Sequence, residues 1–182
     1  MKVLFVCTGN ICRSPLGQQM LQQMLSANSL AQEITVASAG TQAMDGYPMD
    51  RGSIAAISNL GFVPQTHVAQ QLTAQLVSES DLVLTFTEDQ RTDVVELHVR
   101  ANRYTFTLLE FANQASFQLQ KRVVGAGSNL SDLLGATIAM RGMAPFLTTY
   151  DIADPYGKDA TSFERMALQT QNALKQVIEW LP

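Results

Sequence analysis

Cysteine is nearly absent from this 182-residue chain, and its two copies, Cys7 and Cys12, fall within one short segment. Two thiols so close cannot staple distant parts of a fold. The pattern reads as reduced thiols in a cytoplasmic protein, with a reversible local disulfide as the alternative. Histidine is as scarce, with two copies; two His and two Cys are too few to build a zinc site while leaving the cysteines free, and no metal or other cofactor is expected. Lys and Arg number 12 against 16 Asp and Glu, a net charge of −4, and the basic residues form no run. Contacts to a nucleic-acid backbone need clustered cations, so no nucleic-acid partner is expected. Long hydrophobic runs are lacking too. No apolar stretch approaches the roughly twenty residues of a spanning helix, and Arg141 and Pro145 break the best candidate region. The apolar run Val3 to Cys7 is too short for the core of a secretory signal, so neither export nor membrane insertion is expected.

What is present is a chain 46% hydrophobic, enough for one sizeable core and one domain spanning residues 1–182. Val3-Leu4-Phe5-Val6 reads as a strand buried on both faces of a parallel sheet, placed centrally. Further strands are expected at Ile34 to Ala37, Leu82 to Thr85 and Tyr104 to Phe106, with helices over about Asp50 to Leu60 and Glu88 to Leu97. This alternation predicts an α/β class: a single-domain, three-layer fold with a central four-stranded parallel sheet flanked by helices. Thr161-Ser162-Phe163-Glu164 reads as a capping box opening a last helix, whose apolar stripe runs from Phe163 to Leu181. Before it, Asn113 to Tyr150 reads as a helical insertion, its two helical patterns separated by Gly125-Ala126-Gly127-Ser128-Asn129. That G-x-G is no dinucleotide fingerprint, because Leu130 stands where the third glycine belongs.

The chemistry concentrates in Cys7-Thr8-Gly9-Asn10-Ile11-Cys12-Arg13-Ser14. Five residues separate a cysteine from an arginine, between a buried strand and a helix start at Ser14-Pro15, with Ser14 expected as the cap. A loop curling into a helix amino terminus aims successive N–H groups at one point, where the helix dipole favours an anion. Gly9 and Asn10 tolerate the positive φ angles such a curl requires. At its base, the N–H donors and the Arg13 cation would stabilise Cys7 as a thiolate. Arg13 offers a planar fork for two phosphate oxygens, and Ser14 a hydrogen bond to the sulfur. The loop is not a nucleotide-binding one, since G-x-x-x-x-G-K-[ST] is absent.

Val6 to Pro15 resembles the signature loop of low-molecular-weight protein tyrosine phosphatases. Ser38-Ala39-Gly40-Thr41, His67 with Gln71-Leu72, and Asp154-Pro155-Tyr156-Gly157 reinforce the likeness, and the spacing from Ser38 to Asp50 is similar to that of bacterial capsule-associated members. The resemblance implies Cys7 as nucleophile, Arg13 as phosphate clamp and Asp154 as general acid. It implies that Thr8, Gly9, Asn10, Ile11, Cys12 and Ser14 form the phosphate-binding loop, which would take inorganic phosphate or other oxyanions. Ser38 and His67 are expected to support that loop, His67 as a hydrogen-bonded organiser through Asn10 or Ser38. A carboxylic acid facing the cradle is also what a departing phenolate needs, and Pro155 restricts Asp154 to extended backbone.

The substrate expected is a phosphotyrosine-containing protein, since Ile11 resembles the tyrosine-specific members, whereas arginine phosphatases of the family resemble each other in a threonine there. Tyr156, with Met44 and Tyr47, is expected to line a cleft for an aromatic group. An arginine phosphatase and a noncatalytic phosphate-binding module are the alternatives; arsenate reduction would need further cysteines after the loop, and none follows Cys12. Cys12 reads either as a redox partner of Cys7, which the resemblance implies, or as a small packing residue. Two departures stand out: Gln70 where the family has arginine, and Gln18 where an acidic residue is usual.

Overall fold

The computed structural model describes residues 1–28, 32–122 and 129–181. Four strands, β1 (Lys2–Cys7), β2 (Thr35–Gly40), β3 (Leu82–Thr85) and β4 (Thr105–Thr107), pair in parallel in the order β2-β1-β3-β4. The helices are α1 (Arg13–Ala27), α2 (Arg51–Asn59), α3 (Ala74–Ser78), α4 (Glu88–Leu97), α5 (Leu108–Lys121), α6 (Leu130–Ala139) and α7 (Ala160–Trp180). The expected three-layer α/β domain is what forms.

β1 is central and buried from Val3 to Cys7. Val3, Phe5 and Cys7 join the larger core with residues of α1, α2, α5, α6 and α7, while Leu4 and Val6 join a smaller one with Val77 of α3 and Val94 of α4. This period-two division is why a wholly apolar run, rather than an alternating one, marks a strand covered on both faces. Because β1 has β2 on one side and β3 on the other, the chain leaves its carboxyl end at the crevice where the sheet's connections diverge, the usual place for a ligand in such sheets.

Several boundaries differ from expectation. β4 is Thr105–Thr107 rather than Tyr104 to Phe106. β2 runs on to Gly40, because Ser38, Ala39 and Gly40 pair with Phe5, Val6 and Cys7. The last helix is capped by Asp159, whose Oδ1 accepts from Ser162 N (3.0 Å) and Ser162 Oγ (2.7 Å), not by the expected box at Thr161. A capping box does occur, at Thr107 and Glu110, and opens α5 ahead of the stretch read as helical. Two helices do occupy that stretch, the second capped by Asn129; the glycine loop 125–128 and Val123-Val124 lie outside the described residues.

α5 and α6 pack into the body of the domain. Phe111 meets Phe106 and Trp180 edge to face at 5.4 and 5.3 Å, and Gln118 bridges Trp180 Nε1 (2.8 Å) to Thr137 Oγ1 (3.0 Å). Arg141, just past α6, binds Glu110 through two nitrogens at 2.9 Å, donates to the carbonyls of Asn102 and Thr105, and lies 4.1 Å over the Phe106 ring. Those carbonyls stand at the amino end of β4, the opposite end of the strand from the crevice. Arg141→Met strands the Glu110 carboxylate and is expected to lower unfolding stability by about 2–3 kcal/mol. Arg141→Lys should restore less than half, because an ammonium cannot span this fork; urea denaturation midpoints measure both.

Candidate active site

The chain from Cys7 to Arg13 curls at the carboxyl end of β1 with its carbonyls turned outward. Thr41 N donates to Cys7 O (2.9 Å), Gln42 N to Thr8 O (2.9 Å), Met44 N to Gly9 O (3.0 Å) and Asp50 N to Ile11 O (2.8 Å), while His67 Nε2 sits 2.7 Å from Asn10 O. An amide plane that points its oxygen out points its hydrogen in. Among the described residues, the N–H groups of Thr8 to Cys12 donate to no protein acceptor. The result is a ring of free donors at the mouth of α1, an arrangement suited to an anion.

The left-handed residue that turns the loop is Asn10, at φ 54°. Gly9, expected to share that conformation, does not, because the single reversal at Asn10 suffices. Asn10 is fully buried and completely bonded: Nδ2 donates to Ser14 Oγ (2.8 Å) and Ser38 Oγ (3.0 Å), and Oδ1 accepts from Gln70 N (2.9 Å). Ser38 passes its own proton to Gln18 Oε1 at 2.6 Å. Gly40 holds a position where a Cβ would come within 2.5 Å of Thr8 O, so the end of β2 lies flush against the loop.

Ser14 is not the helix cap; that position falls to Cys12, without a side-chain bond. Instead Ser14 Oγ lies 3.0 Å from Cys7 Sγ. Since Asn10 already donates to it, the serine proton is left for the sulfur or for Ala39 O at 3.4 Å. Pro15 falls inside the first turn, as expected. Arg13 is buried, its Nη2 donating to Asp154 Oδ2 (2.8 Å) and its Nη1 to Ile152 O (3.3 Å), and its Nε has no protein partner. Asp154 is about half exposed, with a side-chain accessibility of 47%, and its Oδ1 accepts from Tyr156 N (3.2 Å).

These groups line one cleft of about 200 Å³. Cys7 and Arg13 are at its base, with Thr8, Gly9 and Cys12 around it; Ile11, Met44 and Tyr156 give it apolar walls, and Asp154 is the one carboxylate on it. Asn10, Ser14, Ser38 and His67 do not line it, and act through the loop they hold. Tyr47 is exposed and stands off the cleft, and Gln42 lines it instead. Gln42 follows directly on the strand-end Ser38 to Thr41, a position that hinted at its place. Cys12 is a free thiol packed in the core; burial, reinforced by the negative charge of Asp50, pushes it up to about 12 and keeps it protonated. Among the described residues no group of three His, Cys, Asp or Glu side chains stands ready for a metal ion, and no helix is long and apolar enough to cross a membrane.

His67 is half-buried, and that burial lowers its pKa below 6.5, opposed by the bond to Asn10 O. The carbonyl accepts, so Nε2 carries the proton of a neutral ring. The unfolded chain therefore binds a proton that the folded chain resists. This contribution to stability is complete above the ordinary histidine value and is lost as pH falls through it toward the folded value. The urea midpoint should decline on acidification from about pH 7 to about pH 5, and His67→Gln, which keeps a donor for Asn10 O, should flatten that part of the profile.

A family model described as low molecular weight phosphotyrosine protein phosphatase matches residues 2–121, so α5 lies inside the match and α6 beyond it. The probable low molecular weight protein-tyrosine-phosphatase EpsP of Ralstonia nicotianae is 31% identical over 180 residues, covering 99% of this chain and 93% of the relative. The crystal structure of the Erwinia amylovora tyrosine phosphatase AmsI superposes with a TM-score of 0.73 at 28% identity, covering 99% of this chain and 92% of the other. The YwlE arginine phosphatase of Geobacillus stearothermophilus shares the fold, with a TM-score of 0.70 at 24% identity over 98% of this chain and 90% of its own. With the matched segment carrying the whole Cys7 to Arg13 cradle, the chain belongs to the low molecular weight phosphotyrosine protein phosphatase family.

Proposed function

We propose that the protein hydrolyses phosphotyrosine in proteins through a phosphocysteine intermediate, in the cytoplasm of a bacterium. The observation that carries this reading is the placement of Cys7 Sγ at the base of a ring of free N–H donors, with the paired Arg13 and Asp154 on the same cleft. A phosphoryl dianion brings three equatorial oxygens, and the N–H ring with the Arg13 fork offers donors for all of them.

In the first step the Cys7 thiolate attacks phosphorus in line, the bond from phosphorus to the tyrosine oxygen breaks, and Asp154, entering as the acid, passes its proton to the departing phenolate. In the second, water attacks the phosphocysteine, Asp154 takes a proton from it, and the sulfur leaves as thiolate, stabilised by Ser14. Arg13 must release the Asp154 carboxylate to do its part. Its Nε, without a protein partner, and Nη2 are the natural pair for two phosphate oxygens. In the resting protein the ion pair instead keeps the acid aimed at the cradle.

The cleft walls favour an aryl ester over a phosphoguanidine. Ile11, Met44 and Tyr156 offer apolar and aromatic surface to a phenyl ring, whereas a guanidinium group would call for carboxylates besides Asp154, and the cleft has none. Comparison of phosphotyrosine with phosphoarginine as substrates tests this directly, and preferential turnover of phosphoarginine would refute it.

Cys7→Ser should abolish release of phosphate from aryl phosphates while leaving phosphate binding measurable by calorimetric titration. Unchanged turnover would exclude the covalent route. Asp154→Ala should slow kcat for phenyl phosphate by about 10²–10³-fold, and for p-nitrophenyl phosphate, whose leaving group needs no proton, by about tenfold or less. Equal losses on the two esters would remove Asp154 as the acid.

A further inference from the structure

Gln90, in the first turn of α4, is buried yet touches none of the reacting groups assigned above. Its orientation is settled by what its neighbours can do. Phe86 N donates to Oε1 at 3.0 Å, which only the carbonyl end of the amide can accept, so Nε2 must be the end that faces Thr8 Oγ1, 3.1 Å away. Thr8 follows Cys7 in the chain and lines the cleft. Because Gln90 donates to that hydroxyl, and the hydroxyl donates to no protein acceptor among the described residues, the Thr8 proton is left for an acceptor in the cleft.

The turn that carries Gln90 also grips the opposite loop. Ile152 N donates to Phe86 O (2.8 Å), and Asp151 Oδ1 accepts from Glu88 N (2.9 Å) at the amino end of α4, where the helix dipole favours a carboxylate. Ile152 O in turn accepts from Arg13 Nη1 at 3.3 Å. One short segment, Phe86 to Gln90, is thus bonded both to the phosphate-binding loop and to the loop that carries Asp154.

We propose that Gln90 is a positioning residue that acts through Thr8: it fixes the strand side of the phosphate-binding loop and turns the Thr8 hydroxyl into a donor for the bound anion. The same turn sets that loop in register with the Asp154 loop. This rests on the reading of the cradle as a phosphate site, but it needs no assumption about which ester is hydrolysed.

The test is the affinity of the intact protein for inorganic phosphate, by calorimetric titration, in Gln90→Met, Thr8→Val and the double variant. Each single change should weaken binding about tenfold, and the double variant should be no weaker than the weaker single, because both remove the same contact. Losses that multiply to about a hundredfold would mean that Gln90 acts elsewhere, and would overturn the inference. If Gln90→Met does not fold, Gln90→Glu keeps the acceptor for Phe86 N. Its phosphate affinity, relative to wild type at the same pH, should be at least tenfold weaker near neutrality and should recover as the new carboxyl protonates below about pH 5. A loss that is absent, or that persists unchanged on acidification, overturns it. A wild-type protein that binds no phosphate at all would sink the site reading itself, an outcome distinct from either of these.

Discussion

Five consecutive peptide groups, from Cys7 to Ile11, are forced to face the same way because each of their oxygens is held by a donor outside the loop. That constraint is what makes the site. A peptide left free would turn its N–H to whatever acceptor lay near, and the donors would be lost one by one. The donors that hold the oxygens come from two places: the chain just after β2, through Thr41, Gln42, Met44 and Asp50, and the segment around His67. Both must lie close to the loop, and the closeness is set by Gly40, where any side chain would drive into Thr8 O. The parallel pairing of Cys7 with Gly40 brings them to that distance. The sheet register and the chemistry are therefore the same fact at two scales.

Holding several N–H groups of one loop convergent, with no protein acceptor for any of them among the described residues, costs conformational freedom. The protein meets that cost by making the rest of the loop over-determined. Asn10, in a left-handed conformation that few residues accept, uses every polar atom of its side chain on Ser14, Ser38 and Gln70. An anion in the cradle would satisfy these donors at once, with no change in the loop that presents them. Arg13 follows the same logic: its Nε is left without a protein partner, while Asp154 and Ile152 hold the other nitrogens in place.

Much of this could be read from the chain. An apolar run such as Val3 to Val6 cannot be a half-exposed strand, so a central parallel strand was legible, and with it the crevice where Cys7 lies. The cysteine-to-arginine spacing ahead of Ser14-Pro15 then specified a loop entering a helix. Boundaries were less legible, and for physical reasons. Ser38, Ala39 and Gly40 are poor strand formers by propensity, yet they extend β2 because a small residue is what the contact with Thr8 demands. Thr161-Ser162-Phe163-Glu164 had the sequence of a capping box, but Asp159 lies two residues earlier with a better acceptor, and the helix begins there. Gln90 was silent in the sequence altogether. A glutamine in the first turn of an acidic, solvent-facing helix looks like any surface residue, and only the fold reveals that its amide is buried against Thr8.

The two departures from the family pattern, Gln18 and Gln70, become intelligible once the polar network is traced. Ser38 donates to Gln18 Oε1 at 2.6 Å, and its carbonyl accepts from Gln70 Nε2 at 2.9 Å. A charged pair at these positions would hold Ser38 electrostatically and place a carboxylate near the anion cradle. Two neutral amides hold it by geometry alone. With no acidic side chain beside it to favour the imidazolium, burial decides the state of His67, and the neutral ring donates its single available proton to Asn10 O. The support under the Cys7 to Arg13 loop is thus uncharged from Gln18 to Ser14. The positive charge on the cleft then comes from Arg13 and the amino end of α1, which would face an anion directly, rather than from groups beneath the loop.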